Sequence, residues 1–140
     1  MTIANKTVCS SLQLIRVESV ELFYIIKFNN SVVIGYKDVC FEPPIIPGSL
    51  ISSESDKDGQ LSKSITFEIS DVSPEIIETL QRMKYKKLVA MYKDEIGLQK
   101  ICGTLDYPLS FDWSHGEGVY KITLRGEDKD PDHYVSQVLQ

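Results

Sequence analysis

Alternation with a period of two recurs along this chain, while a capped helical period of 3.6 occurs once. That restricts the fold to a mainly β architecture. Val20, Leu22, Tyr24, Ile26 and Phe28 alternate with Glu21, Phe23, Ile25 and Lys27, a strand whose centre is apolar on both faces. Asn29-Asn30-Ser31 is turn chemistry and Val32-Val33-Ile34 starts the next strand, so residues 19–36 read as a hairpin. Ile65, Phe67 and Ile69 alternate with Ser64, Thr66, Glu68 and Ser70. Leu88 to Tyr92 reads as a short buried strand that returns through Gly97 along Leu98 to Cys102. Pro108 to Trp113 starts another strand, and Tyr120, Ile122 and Leu124 alternate in the last clear one.

The helix is predicted over 73–84. Ser73 is a good N-cap, since its hydroxyl accepts from an orphan backbone N–H, and Pro74 suits the first helical position, which needs no donor. Glu75 favours the positive helix end, and Ile76, Ile77, Leu80 and Met83 fall on one face. About seven strands and one helix, not interleaved, argue against βαβ winding. The expected fold is mainly β with one helix (α+β), an antiparallel sandwich or barrel carrying a single packed helix.

Length and charge set the frame for function. The 140 residues are one domain on the usual prior, 1–140. The formal net charge of −5 argues against a chain whose main task is coating nucleic acid. No apolar run approaches the ~20 residues of a membrane helix, so no membrane partner is expected. Met1 to Lys6 lacks the apolar stretch of a signal peptide, and the product is expected to stay in the cytoplasm where it is made. Residues 1–11 read as a flexible arm, residues 52–63 as a mobile acidic loop, and residues 127–140 as a partner-docking tail. In that tail Tyr134, Val135, Val138 and Leu139 have helix-like spacing.

No catalytic motif stands out. Glu54, Asp56, Asp58 and Gly59 imitate the start of a calcium loop, but Ile65 occupies the position that needs a bidentate carboxylate, so no metal is expected. Cys9, Cys40 and Cys102 are too few and too widely spaced for a disulfide framework or a paired-cysteine metal site. A thiol hydrolase would need Cys102 beside His115 or His133, and no local motif surrounds them; both histidines are expected to be exposed. There is no phosphate-cradling glycine motif and no cofactor is expected. Trp113, with His115 on the adjoining Ser114–Gly118 loop, is the alternative ligand site, for a glycan or a protein.

Charge clustering is the more suggestive signal. Arg82, Lys84, Lys86 and Lys87 gather at the helix exit. Glu54, Asp56 and Asp58 form one acidic patch, and Glu127, Asp128, Asp130 and Asp132 form another. Opposite clusters on one small domain suit head-to-tail self-association, which closes into a ring when the rotation permits. Glu54, Asp56, Asp58, Arg82, Lys84, Lys86 and Lys87 are the expected oligomer contacts, with Tyr134, Val135, Val138 and Leu139 as an apolar face.

The order of elements from Ser52 to Tyr134 carries a resemblance. Ser64-Ile65-Thr66-Phe67-Glu68-Ile69 precedes Ser73-Pro74-Glu75, then Leu88 to Asp94 with Gly97 and Gly103. Asp106-Tyr107-Pro108-Leu109-Ser110-Phe111 and Ile122-Thr123-Leu124-Arg125-Gly126 follow, before Asp130-Pro131. This half of the chain resembles small structural proteins of tailed-phage and prophage virion modules. The resemblance implies a non-enzymatic virion component of the tail or head–tail connection, assembled in the host cytoplasm. Its partners would be copies of itself in a ring and other virion proteins. The competing expectation is a monomeric β-sandwich binding module.

Overall fold

The computed structural model describes residues 4–37, 41–70 and 73–139, and Cys40 lies outside them. Among the described residues eleven strands form two packed sheets, accompanied by one α-helix. The strands are β1 (Ala4–Val8), β2 (Ser11–Arg16), β3 (Val20–Ile26), β4 (Ser31–Tyr36), β5 (Ile51–Lys57), β6 (Gln60–Ser70), β7 (Leu88–Lys93), β8 (Gln99–Cys102), β9 (Ser110–Gly116), β10 (Val119–Asp128) and β11 (His133–Leu139), with helix α1 (Pro74–Met83) between β6 and β7. The first sheet runs β1-β5-β6-β10-β9 and the second β2-β7-β8-β11-β4-β3. All pairings are antiparallel except β11 with β4. The mainly β, one-helix expectation therefore holds as a two-sheet sandwich, not as a closed barrel.

The second sheet is strongly curled, which follows from its connectivity. β2 and β3 are its opposite edges, yet only Val17–Ser19, a single 3₁₀ turn, joins them. Outer strands of a flat six-stranded sheet would lie about 24 Å apart, whereas four residue steps reach about 14 Å at most. The curl creates two cores. Leu12, Leu14, Leu88, Ala90, Ile65, Phe67, Ile69, Ile122 and Leu124 fill the space between the sheets, and Ile76, Leu80 and Met83 of α1 join them. Ile15, Val32, Ile34, Val89, Met91 and Ile101 fill the curl, backed by Phe23, Ile25, Val135 and Val138. β7 serves both cores with alternate residues, which is why Leu88 to Tyr92 is apolar without a break.

Helix α1 forms as its sequence dictates. The Ser73 hydroxyl accepts from Ile76 N at 3.3 Å, and Pro74 occupies the first turn. Hydrogen bonds from its own backbone N–H and from the Ser73 hydroxyl hold the Glu75 carboxyl below the usual carboxylate range.

Four expectations are corrected. Residues 4–8 of the supposed arm are β1, paired with β5 from Ala4↔Ser55 to Val8↔Ile51. Such an edge strand is held by backbone pairing, so it leaves no apolar row to read. Residues 52–63 are not a loop but the β5–β6 hairpin, with Glu54 opposite Lys63 and Lys57 opposite Gln60. Its two-residue turn, Asp58-Gly59, has φ of 56° and 80°, the left-handed pair that Asp-Gly favours in tight hairpins. The tail is β11, hydrogen-bonded inside the second sheet between β8 and β4, and not a helix. A bulge between Val135 and Gln137 shifts the register, so Val135 and Val138 face the same core despite their odd separation. The tail's central strand is thus spent on the chain's own sheet. β9 also runs on through His115 to Gly116, leaving Glu117-Gly118 as the turn.

Candidate functional site

Strand edges are natural docking positions, because they present unpaired N–H and C=O groups. The four sheet edges here differ in protection. Backbone hydrogen bonds to Phe41 cover part of β2, from Leu14 N to Phe41 O at 2.9 Å and back at 3.0 Å. β9 carries Asp112, and β1 carries Lys6. β3 carries its one charge, Glu21, at its start. After a bulge at its start it runs Leu22-Phe23-Tyr24-Ile25-Ile26, five residues without charge or proline, and among the described residues it pairs only with β4.

The face beside that edge is apolar and turned to solvent. Pairing places Leu22, Gly35 and Leu139 in one row, Tyr24, Val33 and Gln137 in the next, and Ile26, Ser31 and Tyr134 in a third. Phe23, Ile25, Val32 and Ile34 point into the curl, so these rows form the outer face. Tyr24 is 61% exposed, Leu22 44%, Tyr134 42% and Leu139 40%. A Cβ at Gly35 would stand 3.4 Å from Leu22 Cβ and 3.5 Å from Leu139 Cβ, so glycine seats the two leucines on either side of it. Phe28, just past the strand, is 91% exposed. Contiguous exposed apolar surface of this kind marks an interaction site more often than chance exposure does.

A second distinctive region lies at the opposite extreme, inside the sandwich. Lys63 is 5% exposed and continues the inward row of Ile65, Phe67 and Ile69 on β6. Its Nζ lies 3.1 Å from Asp132 Oδ1 and 3.9 Å from Asp128 Oδ2. Asp132 Oδ1 has no conventional hydrogen bond, so the ammonium charge is its partner. The Tyr92 hydroxyl of the facing sheet donates to Asp132 Oδ2. Burial, then the Asp132 charge, push the Tyr92 hydroxyl far above its ordinary value. Burial and the Asp132 charge also raise Glu54, with Lys63 pulling the other way.

His133 closes the group, buried where exposure was expected. Asn30 Nδ2 donates to the Asp132 carbonyl at 3.1 Å, which leaves Asn30 Oδ1 to accept from His133 Nδ1 at 2.6 Å. That assigns the proton of the neutral ring to Nδ1. Burial and the Lys63 charge lower its pKa, against Asp128, Asp130 and Asp132. The thiols are far from activation. Burial pushes Cys9 up to about 11 and Cys102 well above its ordinary value, the opposite of a nucleophilic thiolate. Among the described residues no group of three or more His, Cys, Asp and Glu side chains is set to hold a metal. The network ties β6 and β10 of one sheet to β7 of the other. Its sequence signal is Lys63 itself, a lysine in phase with an inward apolar row.

The charge clusters are balanced mostly where they stand. Glu54 is half-buried opposite Lys63, and Asp56 Oδ1 accepts from Gly59 N in the hairpin turn. Asp58 is exposed in that turn, and Asp128 and Asp132 are spent on Lys63. Arg82 lies 3.9 Å from Glu78, Lys84 lies 3.9 Å from Asp112, and Lys86 lies 3.3 Å from Glu18. Lys87 is exposed, and its carbonyl accepts from Val17 N. Of the tail residues, Val135 and Val138 back the curled core, whereas Tyr134 and Leu139 join the outer face. Trp113 and His115 flank Tyr120 at 5.4 and 4.4 Å between ring centroids. Trp113 packs on the main core beside a hollow of about 310 Å³ that also involves Asp112, Lys121 and Arg125.

Sequence reasoning found Tyr134 and Leu139 but missed Leu22, Tyr24 and Ile26. An apolar run on both sides of a strand was visible, yet its position at an open edge was not. Among the described residues no helix is long and apolar enough to cross a membrane. Comparison with known proteins finds no matching family model, no similar curated protein and no similar solved structure.

Proposed function

We propose that this chain is a non-catalytic structural subunit that assembles with copies of itself. A ring in the tail or head–tail connection of a tailed-phage virion, built in the host cytoplasm, is the setting its sequence resemblance suggests. The observation that carries the self-assembly reading is the uncharged Leu22–Ile26 stretch of the β3 edge with its outer face of Leu22, Tyr24, Tyr134 and Leu139. Each such side chain, once covered, contributes about 1.5–3 kcal/mol, enough in combination to drive association. The charged clusters are secondary contacts in this reading, because near neighbours already balance them.

Light scattering coupled to size exclusion, over a range of concentration and salt, tests it. A discrete oligomer is expected, one that persists in high salt because its contacts are apolar. Tyr24→Lys should shift it to monomer. A monomer at every concentration overturns self-assembly and favours the monomeric binding module at Trp113 and His115. An oligomer that dissolves in salt and ignores Tyr24→Lys returns the interface to the charged residues.

A further inference from the structure

We propose that β3 pairs antiparallel with β3 of a second copy, about a two-fold axis at Tyr24. The proposal rests on the self-assembly reading and names its contact. The uncharged stretch Leu22-Phe23-Tyr24-Ile25-Ile26 has Tyr24 at its centre, with Glu21 just before it and Lys27 just after. Both charged side chains are exposed. An antiparallel pair centred on Tyr24 sets each Glu21 opposite Lys27 of the other copy, and the symmetry makes that ion pair twice. Moving the axis one residue toward either end sets Glu21 opposite Ile25 or Asn29 instead. A parallel pair in register sets Glu21 beside Glu21. Charge complementarity therefore selects one direction and one register.

The apolar residues agree with that register. Leu22 falls opposite Ile26 of the second copy, and Tyr24 falls opposite Tyr24. The outer rows through Leu22, Gly35 and Leu139 and through Ile26, Ser31 and Tyr134 thus run on into each other across the axis. Phe28, 91% exposed, comes near the start of β3 in the second copy. The other edges fit β3 less well. Joined to β1 or β9, the uncharged stretch would meet Lys6 or Asp112, and the backbone of Phe41 already occupies part of β2. Pairing of copies satisfies the outward N–H and C=O groups of both edges at once. Such a contact is self-complementary and closes on two copies, so a ring would be built of these pairs through a second surface.

Charge reversal in the full chain tests this, with the mass in solution read by light scattering. Glu21→Lys and Lys27→Glu each turn both ion pairs into repulsions, and each should weaken association at least about tenfold. Both change exposed side chains, so the fold is kept, which circular dichroism checks. Mixing the two single variants should restore association, because every lysine then faces a glutamate across the axis. The double reversal Glu21→Lys, Lys27→Glu should associate with itself to within about threefold of the wild type. A wild type that associates while neither the mixture nor the double reversal recovers overturns this register and leaves the self-assembly reading standing. Single reversals that leave association unchanged do the same. A wild type that stays monomeric at every concentration overturns both.

Discussion

The Lys63 network and the β3 edge reverse the usual distribution of polar and apolar groups in opposite directions. In the first, an ammonium and two carboxylates sit between packed sheets. In the second, leucine and tyrosine side chains face solvent on and beside an edge strand. The difference is one of partner. Lys63, Asp128, Asp132 and Tyr92 find theirs within the chain, so the energetic consequence of the network is internal. Leu22, Tyr24 and Leu139 stay largely open to solvent, and Tyr134 meets the Lys100 ammonium 5.3 Å from its ring. A buried ionic network adds little over apolar residues of equal volume, but it tolerates the loss of one member badly. An exposed apolar face behaves oppositely, since substituting it leaves the monomer nearly untouched.

Asp132→Ala should give the largest effect. It removes the nearest partner of Lys63 and strands the Tyr92 hydroxyl, with an expected loss of about 3–5 kcal/mol in denaturant unfolding. A loss below about 1 kcal/mol would mean that the network is solvated and that the contrast with the edge is false.

Tyr24→Lys should alter monomer stability by no more than about 0.5 kcal/mol, because the side chain is exposed in the isolated chain. Its effect belongs to association. Unfolding measured at a concentration where the wild type is monomeric would separate the two. A large loss of monomer stability would show that Tyr24 is structural and would remove it from the interface.

The smallest expected effect is a pH dependence within the polar region. His133 has its folded pKa below the ordinary 6.5, so the unfolded chain binds its proton more readily. Its stabilising contribution is complete above pH 6.5 and is lost as pH falls below that value toward the folded pKa. The slope is at most about 1.4 kcal/mol per pH unit for one proton. Glu54, raised above 4.5, acts with the opposite sign: its contribution is present below 4.5 and lost as pH rises through its folded pKa. His133→Gln should flatten the acid-side decline. Thermal unfolding from pH 7 downward that shows the same decline in the variant would assign it to the carboxylates instead.

What the sequence determined by itself was most of the elements whose stabilising pattern is local. Ser73, Pro74 and the spacing of Ile76, Leu80 and Met83 define α1 without reference to the rest of the chain. The hairpins of β3–β4 and β7–β8 were legible from alternation and turn residues. Burial of β7 on both faces was legible from the unbroken apolar run of Leu88 to Tyr92. Tertiary structure alone decided the elements held by distant backbone. β1 pairs with the distant β5 as a polar strand with no apolar row to announce it, whereas the β5–β6 hairpin is local and Asp58-Gly59 was its signal, passed over in a polar stretch. β11 mimics helical spacing because a bulge resets its phase, and only its neighbours β8 and β4 reveal it as a strand. The same holds for both unusual regions. Periodicity reports which residues share a face, but the partner of that face is set by sheet order and curl. For that reason Lys63 finds Asp132 across 69 positions of chain, while Tyr24 stays 61% exposed.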